Sequence, residues 1–396
     1  MKPNNNRIKI GEMKKFLWPI CLFIFCILVY YISSPGNTPY DYFTRLSVAF
    51  LQGKYWLSQS PPWLSELIPA GLGRYYVAYP PFPAILALPF VAIFGSNFPQ
   101  QYLAHALGAG IVVLTFKISL SVKNSLKLAV WSAILVGIGS IIWYLSSVGS
   151  SWYLGQVAAA FFLTAAIAES LEKKRGFIVG IFLGAAYLSR LQSILSLPFF
   201  LYQLYSPKWK KNYLKVVLGI LPFFIFNSLY NFARFGTILD KGYFLIPGLL
   251  QEPWFNKGLF SLTYIPNHLK IIFLSFPIFS RTFPYIKPSW AGLSIWITTP
   301  AFIYSLWANI KKRIIQMSWF SIGAIALVVF SHGSTGFAQF GYRFAVDFYP
   351  LLVLLTILGV SKQNGPKWHH WLLLALGIIV NLWGVLWINK FGWVSF

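Results

Sequence analysis

Long apolar segments recur along almost the whole chain, and short polar connections separate them. Several, such as residues 16–33, 126–145 and 368–388, approach the roughly 20 apolar residues that a helix needs to cross a bilayer. Of the 396 residues, 57% are hydrophobic and only 10% are charged, which is unlike a soluble domain. The sequence therefore predicts an all-α, polytopic transmembrane helical bundle of about eleven spans, with roughly ten to thirteen allowed. We expect residues 1–396 to form a single integral-membrane domain.

The charge distribution predicts how the bundle is oriented. The chain carries 32 Lys and Arg against 8 Asp and Glu, a formal net charge of +24, and most basic residues lie in short clusters between apolar segments. This pattern is typical of cytoplasmic connections, so we expect membrane lipids and no nucleic acid as partners. The basic stretch 1–15 predicts a cytoplasmic N-terminus in the plasma (inner) membrane. Segments 35–95 and 231–289 then become the first and second outer loops, and we expect an extracytoplasmic active site there.

Two apolar segments are ambiguous because prolines interrupt them. They are residues 77–94 and 262–279. If either crossed the membrane, the basic clusters that follow it would lie outside. We therefore predict that 77–94 is re-entrant or interfacial and that 262–279 is interfacial. Residues 40–52 place their apolar side chains on one stripe, which predicts an amphipathic interfacial helix in the first outer loop.

Most of the acidic residues fall on the predicted outer side, where orientation rules do not require them. They are Asp41, Glu66, Asp240, Glu252 and Asp347. An external functional site would explain them. Asp41 lies at the start of the interfacial helix, so it could take a proton from an acceptor hydroxyl or hold a divalent cation, Mg²⁺ or Mn²⁺, against a lipid phosphate. Alternatively, it is a helix-terminal charge or the partner of Arg45, four residues further on.

Arginines near the predicted outer ends of spans are candidates for phosphate binding. Arg343 can hold a phosphate through two parallel hydrogen bonds, or it forms an ion pair with Asp347, one helical turn further on. Arg190 interrupts an apolar hairpin, where it either serves the site or snorkels to the surface. Arg74 in the first outer loop is a third candidate for binding a phosphate.

Several further polar side chains are candidates to line the same site. Glu66 is a candidate second acid, and His332, which follows an apolar segment, could act as a ligand or an acid. Lone histidines are more often packed, hydrogen-bonded residues, and a polar cluster after a span often only solvates the loop. The remaining candidates are Asp347, Asp240, Lys241 and Tyr79.

Six segments, taken in order, resemble the GT-C glycosyltransferase superfamily, multi-pass enzymes that include protein mannosyltransferases and aminoarabinose transferases. The first three are TPYDYFTRLSVAFLQG (38–53), GRYYVAYPPFPAILALPFVAIFG (73–95) and SSWYLGQ (150–156). The last three are GAAYLSRLQSILSLPFF (184–200), LYNFARFGTILDKGY (229–243) and FGYRFAVDFYPLL (340–352). Together they cover most of the chain, and the similarity is greatest to a bacterial branch of the superfamily.

The resemblance implies a GT-C-like fold and a transferase that moves a hexosyl or pentosyl group from a polyprenyl-phosphate-linked donor. The acceptor would be a lipid, glycan or protein on the extracytoplasmic side, and the anomeric centre would be inverted. Asp41 corresponds to the acidic residue of the superfamily's first outer loop, although Tyr42 stands where many members have a second acid. Tyr79 replaces a histidine that some branches carry before two prolines. Arg343, with Arg190, would face the donor phosphate.

Other classes of membrane protein also fit the composition. A transporter or flippase for lipid-linked sugars should show two related halves with broken helices at matching positions, and the proline-broken segments here sit in dissimilar contexts. Another envelope enzyme, a polysaccharide ligase or polymerase, would place its dominant outer loop late in the chain. A purely structural membrane subunit would use the external charges only for assembly.

Overall fold

The computed structural model describes residues 5–336 and 338–392, with side chains from residue 17 onward. The chain is 67% helical with few strands, so the predicted all-α class is confirmed. The first helices are α1 (Asn5–Ser33), α2 (Tyr42–Leu51), α3 (Phe82–Phe94), α4 (Gln101–Val122), α5 (Leu126–Gly137), α6 (Ile142–Val148), α7 (Ser151–Leu171) and α8 (Gly176–Ser189). The others are α9 (Leu197–Gln203), α10 (Trp209–Phe235), α11 (Ile265–Leu274), α12 (Ile295–Thr298), α13 (Arg313–Phe330), α14 (Tyr349–Lys362) and α15 (Trp368–Val385). Two small antiparallel hairpins pair β1 (Leu67–Pro69) with β2 (Tyr75–Val77) and β3 (Ile278–Phe279) with β4 (Ile286–Lys287).

Within the described part of the chain, 5 helices are long and apolar enough to cross a membrane. They are α4, α7, α10, α13, and α15 together with the π-helical turn Leu386–Lys390. Helices α5 and α6 would form a sixth span, bent by 51° at the break between them. The apolar part of α1, Leu17–Ser33, is shorter than these spans, and the other apolar segments are shorter helices or 3₁₀ segments such as Leu191–Ser196 and Pro300–Trp307. The count of about eleven spans therefore stays a prediction.

Contacts between connecting segments show that the basic clusters lie at one end of the bundle. Ser121, at the end of α4, donates a hydrogen bond to Glu172 after α7 (3.0 Å). Lys123 donates one to Asn364 after α14 (3.2 Å). We call this the basic end, and the opposite end, which carries residues 34–81 and 236–294, the loop end. The basic end carries the clusters 173–175, 208–211 and 311–313.

The first ambiguous segment contains α3, which turns back towards the loop end within the bundle. Phe82, at the start of α3, packs edge-on against Phe162 in the middle of α7, with ring centroids 5.4 Å apart. Pro83 lies in the first turn of α3. Proline is favoured there because it lacks the backbone N–H that would have no partner at the start of a helix. At the other end of α3, Phe94 stacks on Phe98, just before α4 begins at the loop end. Helix α3 therefore begins within the bundle and returns to the loop end.

The second ambiguous segment contains α11, and both of its flanks stay at the loop end. Before it, the Ser261 N–H donates to the Ser331 carbonyl just after α13 (2.7 Å). After it, the Ser275 carbonyl accepts a hydrogen bond from the Ser294 N–H, just before α12 (2.9 Å). Helix α11 has 10 residues and is about 15 Å long, which is too short to cross a bilayer.

Helices α8 and α10 touch backbone to backbone through glycines. Gly176, Gly180 and Gly184 recur every four residues on α8 and face α10. A Cβ at Gly180 would lie 2.3 Å from the Val216 carbonyl oxygen, and a Cβ at Gly219 would lie 2.3 Å from a carbonyl of α8. Small residues allow this close approach inside membranes, where packing and not the hydrophobic effect holds helices together. The pair forms a rigid wall beneath the loop end.

Gly180→Leu should destabilise the protein, because the α10 backbone occupies the space that the new side chain needs. Overpacking of this kind costs about 1–3 kcal/mol, so the midpoint of thermal unfolding in detergent should fall. Gly323→Leu on α13 is the matched control, because nothing lies within 4 Å of a Cβ there. Equal unfolding midpoints for the two variants would contradict the glycine contact.

Candidate active site

A cavity of about 970 Å³ opens at the loop end of the bundle. Its walls come from the first outer loop, the first turns of α7, the segment after α8, the second outer loop and the segment between α13 and α14. A chamber of this volume can hold a small-molecule substrate. Of the residues that the sequence singles out, it brings together Glu66, Tyr79, Arg190, Asp240, His332 and Arg343.

Arg190 is neutralised by a buried carboxylate. Its Nη2 lies 2.8 Å from Asp347 Oδ2, and its Nε lies 3.2 Å from Asp347 Oδ1. Gln192 donates a third hydrogen bond to Asp347 Oδ2 (2.6 Å). The Asp347 side chain has 0% exposure, so it supports the cavity wall from behind and does not face the cavity.

The alternative ion pair between Arg343 and Asp347 does not form, because Arg343–Asp347 is a 3₁₀ segment. With three residues per turn, a side chain four positions further on points about 120° away. The two side chains therefore point in different directions, and Asp347 forms its ion pair with Arg190 instead.

Arg343 brings an uncompensated positive charge to the cavity. Its Nε donates to Gln339 Oε1 (2.9 Å), and its carbonyl accepts a hydrogen bond from Gln156 (3.0 Å). Its guanidinium carbon lies 5.4 Å from the ring centre of Tyr153 and 5.0 Å from that of Phe344. Among the described residues, no carboxylate lies within 4.0 Å of it. The guanidinium is therefore held at the cavity wall without an anionic partner from the protein.

Glu66 is a half-buried carboxylic acid in the cavity lining. Trp152 at the start of α7 donates its indole N–H to Glu66 Oε2 (2.9 Å), and the Tyr42 hydroxyl accepts the Glu66 backbone N–H (3.1 Å). Burial raises the pKa of Glu66 to about 7, although the Trp152 hydrogen bond and the charge of Arg343 act in the opposite direction. Glu66 therefore changes protonation state near neutral pH.

His332 is held neutral at the end of α13. Its Nδ1 lies 2.9 Å from the Ser334 carbonyl, which only accepts, so Nδ1 carries the proton and Nε2 is an acceptor. Burial lowers the pKa of His332 to about 4. The buried His268 donates from Nε2 to the His332 carbonyl (2.8 Å) and accepts from the Tyr342 hydroxyl at Nδ1 (2.6 Å). His268 therefore fixes the backbone that carries His332.

Two other acids at the cavity are bound within their own turns. Asp240 Oδ1 accepts the Gly242 N–H (2.8 Å), and Glu252 Oε2 accepts the Trp254 indole N–H (2.7 Å). Tyr79 also lines the cavity, and its hydroxyl is buried without a partner among the described residues. A buried hydroxyl without a partner is available to a ligand.

Besides Asp347, three predicted site residues lie outside the cavity lining. Asp41 Oδ1 is 2.7 Å from Arg45 Nε, which is the helix-end ion pair that the sequence offered as the alternative. Arg74 lies over the ring of Trp56, 4.6 Å from its centre, and Lys241 is exposed. The roles predicted for these residues stay predictions.

The described residues do not form a protein-only metal site. Within this part of the chain, no group of three or more His, Cys, Asp and Glu side chains is placed to hold an ion. Asp41, the predicted ligand, is bound to Arg45. The Mg²⁺ or Mn²⁺ ion therefore stays a prediction, and the mechanism proposed below uses none.

Sequence reasoning missed several residues that shape the cavity. Trp152, Tyr153 and Glu252 line it, while Gln339 and His268 hold residues that do. Trp152 and Tyr153 lie in the family-like segment SSWYLGQ, and Glu252 is one of the acids on the predicted outer side. The sequence therefore contained a signal for each of these three residues. Nothing in the local sequence distinguishes Gln339 or His268 from packed polar residues, because their partners are distant in the chain.

The bundle has the GT-C fold, as the six sequence segments predict. The crystal structure of ArnT from Cupriavidus metallidurans bound to undecaprenyl phosphate superposes on 92% of this chain with a TM-score of 0.55, at 13% sequence identity. The chain spans 63% of the length of that protein. No protein-family model matches the sequence, and no curated protein matches it at a significant level.

Two further solved structures are similar with lower TM-scores. The archaeal oligosaccharyltransferase AglB from Archaeoglobus fulgidus, in complex with an inhibitory peptide and a dolichol-phosphate, has a TM-score of 0.49 at 11% identity, over 95% of this chain and 56% of AglB. The S. cerevisiae protein O-mannosyltransferase Pmt1-Pmt2 complex bound to the sugar donor has a TM-score of 0.40 at 15% identity, over 64% of this chain and 36% of that one. We base the fold assignment on ArnT.

Asp347→Asn should destabilise the protein strongly, because it leaves the Arg190 guanidinium without a counter-charge. Removing one partner of a buried ion pair typically costs about 3–5 kcal/mol. The double variant Arg190→Gln/Asp347→Asn should lose less stability than the sum of the two single variants. Thermal unfolding of all four proteins measures this coupling, and additive losses would show that the pair does not stabilise the fold.

Proposed function

We propose that this chain is a membrane glycosyltransferase that moves a sugar from a polyprenyl-phosphate-linked donor to a hydroxyl acceptor. The observation that carries the proposal is the uncompensated Arg343 guanidinium in a cavity within an apolar helix bundle. A phosphate that bears a long apolar chain satisfies both features, because its charge pairs with Arg343 and its chain lies among the helices. The fold comparison supports the proposal, since the ArnT structure of this fold is bound to undecaprenyl phosphate.

The proposed reaction is a single displacement at the anomeric carbon. The acceptor oxygen attacks this carbon, the bond to the phosphate oxygen breaks, and the configuration inverts. A carboxylate at the cavity accepts the acceptor's proton. Arg343 stabilises the charge that develops on the departing polyprenyl phosphate, and the Arg190–Asp347 pair keeps the nearby wall polar and ordered.

The charge arrangement supports an extracytoplasmic site. The cavity lies at the loop end, while the basic clusters lie at the opposite end, which the positive-inside rule assigns to the cytoplasm. The plasma membrane is the proposed location. The donor would then present its phosphate in the outer leaflet, and the transferred group would be a hexosyl or pentosyl unit. The proposed acceptor is a hydroxyl of a lipid, glycan or protein.

A transporter or flippase for lipid-linked sugars would need a path between the two ends of the bundle. The residues that line the cavity come from the loop end, with Gly155 on α7 and Val328 on α13 each within two turns of that end. A chamber confined to one end favours a reaction at that side over passage through the bundle.

Arg343→Gln should weaken the binding of undecaprenyl phosphate to the protein in lipid nanodiscs. A charge-assisted hydrogen bond to phosphate contributes about 1.5–3 kcal/mol, so the Kd should rise roughly 10- to 100-fold. Arg343→Lys should recover part of the affinity, because it keeps the charge but loses the planar fork. Arg313→Gln at the basic end is the matched control and should bind like the wild type. Unchanged affinity in Arg343→Gln would remove Arg343 from the donor site.

A further inference from the structure

We infer that Glu66 is the base that takes the proton from the acceptor hydroxyl. This inference rests on the proposed transfer reaction and gives to Glu66 the role that the family resemblance implies for Asp41. The Asp41 carboxylate is paired with Arg45 and does not line the cavity. Glu66 lines the cavity, and among the described residues no lysine, arginine or histidine lies within 4.0 Å of its carboxylate.

Glu66 is held by elements other than its own turn, which distinguishes it from the two other acids at the cavity. Trp152 holds Oε2 from α7, and Tyr42 holds the backbone N–H from α2. The Trp152 contact joins the first outer loop to the bundle, and the two contacts together fix the position of Glu66. Asp240 and Glu252 instead accept hydrogen bonds from donors two residues further on in the chain.

The free oxygen of Glu66 is the atom that can accept a proton. Oε2 accepts the Trp152 indole N–H, while Oε1 receives no hydrogen bond from the described residues. Since a general base must reach the proton that it removes, an unengaged carboxylate oxygen at the cavity is the required geometry. Asp347 cannot serve, because its two oxygens receive hydrogen bonds from Arg190 and Gln192.

The charged and titratable groups around Glu66 suit a base that works near neutral pH. The Tyr42 and Tyr243 hydroxyls, whose pKa values are raised by burial, stay neutral. The charge of Arg343 favours the carboxylate and the charge of Glu252 opposes it. Burial dominates and raises the pKa of Glu66 to about 7. A base with a pKa near the working pH combines a useful ionised fraction with a strong drive for proton transfer.

The proposed step conserves atoms and charge. Glu66 Oε1 accepts the proton of the acceptor O–H, and the freed electron pair on that oxygen forms the bond to the anomeric carbon. The electron pair of the bond between that carbon and the phosphate oxygen leaves with the polyprenyl phosphate. Glu66 then releases its proton to water. The step needs no oxidant, reductant or further reactant.

Trp152 is a positioning residue in this scheme. Its indole N–H favours the ionised form of Glu66, so its removal should raise the pKa of the base. Trp152→Phe keeps the aromatic ring but removes the donor. The acidic limb of the rate profile should therefore move to higher pH by roughly one to two units, because the ionised form of Glu66 loses a charge-assisted hydrogen bond.

The test uses the full-length protein in liposomes with a panel of radiolabelled undecaprenyl-phosphate hexoses and pentoses and a bacterial membrane extract as acceptor. In the wild type, transfer should fall as the pH drops through about 7 and Glu66 becomes protonated. Glu66→Gln should lower the transfer rate about 10²- to 10⁴-fold and keep its affinity for undecaprenyl phosphate. Glu66→Asp should recover part of the rate. Glu172→Gln at the basic end is the matched control and should transfer like the wild type.

Distinct results would overturn the inference and the function on which it rests. Transfer by Glu66→Gln at the wild-type rate would exclude Glu66 as the base, and the transferase assignment would still hold. Loss of transfer in Asp41→Asn with retention in Glu66→Gln would return the role to Asp41. If the acidic limb of the rate profile did not shift in Trp152→Phe, the fall in rate at low pH would not arise from protonation of Glu66. Absence of both binding and transfer in the wild type would overturn the proposed function itself.

Discussion

The buried ion pair between Arg190 and Asp347 is the interaction on which the cavity depends. It joins residues 157 positions apart and ties the segment after α8 to the 3₁₀ turn before α14. In surroundings of low polarity either charge without its partner would raise the free energy of the folded state. The ion pair therefore holds the two segments together. The pair also fixes the charge of the chamber. With Arg190 neutralised, Arg343 is the guanidinium in the cavity lining that has no carboxylate partner among the described residues.

The sequence predicted those features that depend on composition and spacing. The apolar segments predicted the helical bundle. The basic clusters predicted one cytoplasmic side, and they lie together at one end of the bundle. The six family-like segments predicted the fold, and the sequence also predicted six of the residues that line the cavity, Glu66, Tyr79, Arg190, Asp240, His332 and Arg343. These successes share a cause. Buried arginines and acids in an apolar chain are expensive, so their presence alone indicates a site.

The sequence left alternatives open where local geometry decides between two partners. An i,i+4 spacing brings Asp41 to Arg45 in the true helix α2, but the same spacing separates Arg343 from Asp347 in a 3₁₀ turn. A sequence pattern does not distinguish these helix types. The span count stays a prediction, since 3₁₀ segments such as Pro300–Trp307 are shorter and less regular than a spanning helix. Partners such as His268 and Gln339 are set by the tertiary fold and leave no trace in nearby residues.

The glycine contact between α8 and α10 makes one side of the cavity more rigid than the others. At Gly180 and Gly219 the two backbones are in direct contact, so neither helix can slide past the other without losing this close packing. Arg190, which follows α8 directly, is therefore anchored to the stationary half. Any movement that admits a bulky substrate must come from the first and second outer loops or from the α13 side. Substrate entry would then move one side of the cavity, while the side that follows α8 stays in place.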